Sequence, residues 1–294
     1  MLLKPDCIPC VLRMALGALT KLALEPAEMK SLYREILKIS ALRGERWDLT
    51  SPEVIEQVML IIKTYTGKPD PFSEEKVHLN RTVLTMEPFF KDHIRHADNP
   101  VGMAVILAIL GNAIDMMLPE STTDIETDLK NRLAVDLDAK ALAQFLDRLD
   151  TVRRLLYFTD NAGEIILDNL LIQTLVRYYG MSVTVVVRHE STLNDVTLHD
   201  VRNVGFGQEV TLMTNGISGP LPGTVLKRCS PAVRDAVEAA DLIIAKGGGN
   251  FDTLGEQLGE LNTDVSFLLL SKCTPYNRFF NVPFMQPVVY NVLH

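Results

Sequence analysis

The sequence predicts an α/β protein in which a helical N-terminal region packs on a mainly parallel sheet with helices on both faces. Two observations carry that expectation. Up to about residue 150, apolar residues recur at helical spacing and no strand-like alternation stands out. Beyond it, short β-rich runs alternate with helical ones. Several of these runs are apolar without alternation, as parallel strands covered on both faces require. The expected division is a helical cap over 1–150 and an α/β/α region over 151–294, with no long linker between them.

The elements follow in order. Helix-spaced apolar residues run over 11–24, and Pro26 suits the first turn of a second helix reaching about residue 42. Ser51 is the expected N-cap of a third helix. Pro52 fits its first turn and Glu53 favours its dipole, without a strict capping box. Gly67 can supply the left-handed stop after Thr66. Further helices are expected over 73–97, 101–118, 124–133 and 138–149. The second half reads as strand 155–158, helix 165–179, and strands 182–188 and 209–213. A helix over 231–240 and strands 242–245, 265–270 and 288–292 complete it.

Composition narrows the class. The chain has 294 residues, 47% of them hydrophobic and 22% charged, with a net charge of −8. That balance suits a soluble globular protein and disfavours a phosphate-neutralising nucleic-acid face. The stretch VGMAVILAILGNAIDMML, 101–118, is long enough to raise a membrane question. Asn112 and Asp115 near its end, and the lack of a second such segment, argue for a buried helix. The opening MLLKPDCIPC has no long apolar core after its charge, so a secretory signal is not expected. Four cysteines in a chain of this length do not form a disulfide framework. A cytoplasmic protein without membrane or nucleic-acid partners is expected; its oligomeric state is not legible.

Ligands of an open parallel sheet collect beyond the C-terminal ends of its strands. Three segments fall there. In YFTDNAGEIILDNL, an apolar run stops at Asp160-Asn161, and Gly163 lets the chain turn into the next helix. In RHESTLNDVT, Asn194-Asp195 follows the strand over 182–188. If the two strands are neighbours, Asp195 faces Asp160. Two carboxylates and an amide oxygen suit a hard divalent ion such as Mg²⁺ or Mn²⁺, and the absence of His and Cys disfavours closed zinc. The third segment is KGGGNFDTL. Lys246 supplies a full positive charge, and Gly247, Gly248, Gly249 and Asn250 offer backbone N–H groups at a helix start, an anion site. Neither GxxxxGK[ST] nor GxGxxG is present.

Each segment alone has an ordinary explanation as a turn, a helix cap or a tight glycine turn. Their shared position at one sheet edge joins them. Asn112 and Asp115 either bond a neighbouring backbone or line a cleft between cap and sheet. Asp168 reads as structural. Cys7-Ile8-Pro9-Cys10 has metal or redox spacing but no second CxxC to complete a site. His189 and His199, flanking Asp195, read as surface residues.

FTDNAGE, the following LND and AKGGGNFDTL together resemble the damage-control phosphatases. CIPC and the GNAID segment are similar to their cysteine-containing archaeal and bacterial branch. The resemblance runs from Cys7 to the region of Cys273, with GGGN standing where GQGN is expected in much of that branch. It implies a helical N-terminal region beside a Rossmann-like α/β/α catalytic domain. It implies a divalent metal held by Asp160, Asn161 and Asp195, with Mn²⁺, Co²⁺ or Ni²⁺ supporting activity better than Mg²⁺. Lys246 would meet the substrate phosphate. The implied substrates are small phosphorylated metabolites, including sugar phosphates and damaged phosphometabolites. Asp160, Asp195 and Asp252 all stay open as general acid or base. Three other readings also stay open: a carboxyl methyltransferase using S-adenosylmethionine, a non-enzymatic phosphometabolite sensor, and an interaction module built on Cys7 and Cys10.

Overall fold

The computed structural model describes residues 1–114, 125–133, 135 and 137–294. The described helices before the first strand are α1 (Cys7–Lys21), α2 (Pro26–Ile36), α3 (Ser51–Thr66), α4 (Ser73–His96), α5 (Pro100–Gly111), α6 (Ile125–Asn131) and α7 (Ala139–Leu149). The second helix is shorter than its pattern suggests; a separate 3-10 turn, Ser40–Arg43, takes up the remainder. The cap of α3 is Thr50, one residue before the expected Ser51. The Glu53 carboxylate accepts from the Thr50 N–H at 2.8 Å and from its hydroxyl at 2.9 Å, which closes a capping box. Ser51 is thereby left to donate its hydroxyl to Asp252 at 2.6 Å.

The second half alternates as expected: β1 (Arg154–Phe158), α8 (Glu164–Tyr179), β2 (Ser182–Val187), β3 (Val210–Thr214), α9 (Pro231–Ala239), β4 (Leu242–Lys246), α10 (Gly247–Leu254), β5 (Asp264–Leu270), α11 (Thr274–Phe280) and β6 (Pro287–Val292). The sheet order is β3-β2-β1-β4-β5-β6. All neighbours are parallel except β6, which runs antiparallel to β5 at the edge. The chain leaves β1 toward β2 and β3, then crosses back to β4 on the other side. The switch point therefore lies between β1 and β4, where doubly wound sheets open a crevice.

Alternating strand residues divide the core. Leu155, Tyr157, Val183, Val185, Leu242 and Ile244 pack with α4, α5, α7 and α8. Leu156, Phe158, Ile243 and Ala245 pack with α9, α10 and α11 on the other face. A third core belongs to α1, α2 and α3, joined by Phe72 and Leu193. Residue 150 thus marks a change of rhythm, whereas the cores part near residue 72: α4, α5 and α7 share theirs with the sheet. Fully buried Lys76 on α4 ties the parts together, pairing with Asp70 at 2.5 Å and with Asp200, beyond β2, at 2.7 Å.

Within the apolar stretch over 101–118, α5 is buried against α8, which explains its nearly uniform hydrophobicity. Among the described residues, no helix is long and apolar enough to cross a membrane.

Candidate active site

Asp160 and Asn161 leave the C-terminal end of β1, and Asp195 sits in the loop after β2. Because these strands are neighbours in register, the two loops lie side by side. Val196 N–H donates to Asp160 O at 2.9 Å and Ala162 N–H to Asn194 O at 2.8 Å, around an antiparallel bridge between Asn161 and Asp195. The sequence expectation that these three residues share one edge thus has a backbone cause. Gly163 makes the turn into α8 with φ of +79°, and its N–H donates to Asn80 Oδ1 at 2.6 Å.

Around Asp160 the side chains form a continuous network. Asp160 Oδ2 accepts from Asn112 Nδ2 at 3.0 Å and from Asn161 Nδ2 at 2.8 Å. The same two amides donate to Glu164 Oε2 at 3.0 and 2.9 Å. Asn161 therefore spends its N–H groups inward, on carboxylates, while the residue lines the cavity above. Asp195 Oδ2 accepts from Arg188 Nε at 2.7 Å, and the Nη2 of the same guanidinium lies 3.6 Å from Asp160 Oδ1. Among the described residues that buried Nη2 has no hydrogen-bond partner. Arg188 Nη1 is held by Gly223 O and by Asn250 Oδ1.

Lys246 stands elsewhere than expected. Its ammonium is fully buried and donates to Glu164 at 2.5 Å, Asp168 at 2.8 Å and the Ala108 carbonyl at 2.7 Å. All three N–H donors are used, and the side chain does not line the cavity. The reason is geometric. Strand residues alternate between faces, and Lys246 points to the α8 face, where the two carboxylates lie. Burial works against its charge, but Asp168 and Glu164 outweigh it and hold the pKa above the ordinary lysine value. Asp168 also accepts from Tyr157 Oη at 2.7 Å.

The glycine run divides its labour. Gly247 has φ of +74°, and a Cβ there would come within 1.9 Å of Asp160 Oδ2, so the close approach needs glycine. Gly248 and Gly249 line the cavity at the start of α10. Asn250 is fully buried and donates to the carbonyls of Thr159 and Lys246 at 3.0 and 2.7 Å, joining β1 to β4. Asn112 lies behind Asp160, away from the cavity, and Asp115 falls outside the described residues.

Asp160, Asn161 and Asp195 form the floor of a cavity of about 740 Å³. Its walls bring in Lys272, which follows β5, together with Asp252, Cys7, Cys10 and Cys273. None of the four cysteines is in a disulfide. His189 and His199 are exposed. Sequence reasoning missed Lys272, Arg188 and Glu164 as members of the site. Lys272 and Arg188 did carry a signal: each lies within two residues of the end of a strand, β5 and β2, at the edge where Asp160 was sought.

The electrostatics are unbalanced. Asp160, Asp195, Glu164 and Asp168 are buried, against two buried cations, Arg188 and Lys246. Burial, then Asp195 and Glu164, push the Asp160 carboxyl well above the usual carboxylate range, while Arg188 and Lys272 pull it down. An excess of buried carboxylates over buried cations, with oxygen donors at the cavity floor, fits a hard divalent cation. Among the described residues no three His, Cys, Asp or Glu side chains converge on one point. The donor set is two carboxylates with one amide.

Fold and cluster together define an α/β protein with an oxygen-donor site at the switch point of a doubly wound sheet. The chain belongs to the damage-control phosphatase ARMT1-like domain family, whose model matches residues 3–285. A protein of Pyrococcus horikoshii named damage-control phosphatase PH1575 is 32% identical over 231 residues, covering 77% of this chain and 76% of that one. A damage-control phosphatase of Archaeoglobus fulgidus is 29% identical over 258 residues, covering 80% and 87%. An uncharacterized protein of Methanocaldococcus jannaschii is 27% identical over 284 residues, covering 93% and 90%. The crystal structure of a DUF89 family protein from Pyrococcus horikoshii superposes with a TM-score of 0.83 at 25% identity, covering 98% of each chain. The family relation supports a phosphatase-type, hydrolytic function with a small phosphorylated substrate.

Proposed function

We propose that the chain is a metal-dependent hydrolase of small phosphomonoesters, acting at the cavity floor between β1, β2 and β4. The observation that carries this reading is the pairing of Asp160 and Asp195, with Asn161 between them, in one cavity with Lys272. Asp160, Asp195 and Asn161 would hold a divalent cation. Such a cation supplies Lewis-acid charge for the phosphoryl group. Mn²⁺, Co²⁺ and Ni²⁺ are the preferred candidates, with Mg²⁺ also accepted.

The residues of the chain then have separable tasks. Lys272 and the N–H groups of Gly248 and Gly249 hold phosphoryl oxygens by charge and hydrogen bonding. Arg188 orients Asp195 through its Nε, and Asn112 with Asn161 orients Asp160. Lys246 acts at one remove: it holds Glu164, which in turn fixes the amides of Asn112 and Asn161.

The test is phosphate release from a panel of phosphomonoesters, after metal stripping and with Mg²⁺, Mn²⁺, Co²⁺ or Ni²⁺ restored singly. Release should require the ion and fall about 10²–10³-fold in Asp160→Ala. Full turnover by the stripped protein, or by the variant, would sink the reading. Silence across the panel with metal demonstrably bound would move the weight to a sensor or to the methyltransferase reading.

A further inference from the structure

Four non-glycine residues among those described have positive φ: Ala23 (50°), Leu193 (43°), Asn281 (55°) and Met285 (61°). Asn281 is a helix cap, where asparagine accepts this geometry readily. Leu193 and Met285 are different. Both are large, apolar and disfavoured in the left-handed region, and both line the active-site cavity. Residues held in such strain cluster where side-chain placement matters to function.

Each strained residue belongs to a turn beside the site. The Asp195 N–H donates to Thr192 O at 3.0 Å, so Leu193 lies in the turn that presents Asp195. The Met285 N–H donates to Ser271 O at 2.7 Å, which pins it next to Lys272. The chain thus accepts backbone strain at two places where apolar residues, Met285 and the core-packed Leu193, form part of the wall of a cavity otherwise floored by charge. Val11, Met14 and Leu79 continue the apolar lining.

Several polar groups of the same cavity are already engaged with one another. Ser51 donates to Asp252 at 2.6 Å, Lys21 pairs with Glu75, and Arg132 donates to Asp128 at 2.8 Å. A hydroxyl seated against Leu193, Met285, Val11, Met14 and Leu79 finds no hydrogen-bonding side chain among these five, and leaving it unpaired is costly. A cavity of about 740 Å³ also exceeds what a phosphate and a few carbons fill.

We propose that the phosphomonoester cleaved here carries an alcohol with a largely apolar body, and that Leu193 and Met285 are the residues that select it. This inference rests on the hydrolase reading. In the reaction, the oxygen of water forms the new P–O bond, the P–O bond to the alcohol breaks, and a proton from the water goes to the departing oxygen.

The experiment uses methyl, butyl and hexyl phosphate with the Mn²⁺-loaded chain, since these leaving groups differ little in chemistry. The ratio kcat/KM should rise with length, by up to about fourfold per buried methylene. In Met285→Gln, which preserves length, and Leu193→Asn, which tolerates the backbone, the hexyl-to-methyl ratio should fall several-fold. A merely structural role would lower both substrates alike and leave that ratio unmoved. A flat length series, or an unchanged ratio in both variants, overturns the inference while turnover itself keeps the hydrolase reading. If no ester is turned over, calorimetric titration with the same three phosphates decides. Affinity that rises with length supports the apolar wall, and affinity that does not rise overturns it.

Discussion

Lys246 and Asp160 show how much a single residue's role depends on its surroundings. Lys246 has three acceptors and no exposure, so it behaves as the counter-ion of Glu164 and Asp168. Lys246→Met should therefore cost about 3–5 kcal/mol, because two buried carboxylates lose their cation. Denaturant unfolding reads this directly; a loss below about 1 kcal/mol together with weakened phosphate affinity would restore Lys246 as a phosphate contact. Asp160 carries the opposite strain. Burial and Asp195 raise its pKa in the metal-free fold, so the folded chain keeps a proton that the unfolded chain releases. The resulting penalty is absent below the unfolded value of about 3.9 and grows as pH rises toward the raised one. Asp160→Asn should thus stabilise the metal-free chain by about 0.5–2 kcal/mol at pH 8. The gain should shrink on acidification toward pH 4, as followed by thermal unfolding. A gain independent of pH would remove the electrostatic explanation.

Among the elements, α10 does most to shape the site. It begins directly where β4 ends, and its first residue passes close to the Asp160 carboxylate. Asn250, one turn in, holds the ends of β1 and β4 together. Gly247→Ala combines a disfavoured φ with a clash on Asp160, and should cost about 1–3 kcal/mol. Because the displaced atom is Asp160 Oδ2, divalent-ion affinity should fall along with stability. Calorimetric titration with Mn²⁺ at a temperature where the variant is folded separates the two effects. Wild-type affinity in the folded variant would show that Asp160 has room to shift.

For the whole molecule, the cavity depends on how the α1–α3 core seats over the sheet. Lys76 contributes by joining Asp70, ahead of α4, to Asp200 in the loop beyond β2. The site loop, residues 188–200, is thereby anchored at both ends, by Arg188 at its start and Asp200 at its finish. Lys76→Met should destabilise the chain by about 3–5 kcal/mol, since Asp200 is left buried without its lysine counter-ion. Hydrogen exchange should quicken first in 188–200 and α4; uniform loss of protection across the chain would mean that the triad supports global stability alone.

Much of this architecture was legible in local pattern. Helical spacing, helix punctuation and unalternated apolar runs depend on neighbours in the chain, so α3, α8, β1, β2 and β4 fall within a few residues of their expected bounds. The pairing of Asp160 with Asp195 was also within reach, because a strand-end loop in a parallel sheet has only one edge to occupy. The cap of α3 was misplaced by one residue, since Thr50 and Ser51 are both capping types and only the return of Glu53 chooses between them.

By itself the sequence determined the alternation of strand and helix, the edge at which chemistry gathers, and the oxygen character of that edge. Tertiary structure alone decided which charges meet. Lys246 turned inward because the alternation of β4 points it at α8, and Lys272 reached the cavity because β5 lies beside β4. The sharing of the α4 and α5 core with the sheet likewise arises from contacts between segments far apart in the chain. Such contacts are set by the packing of whole faces, and a local pattern records a face without recording its partner.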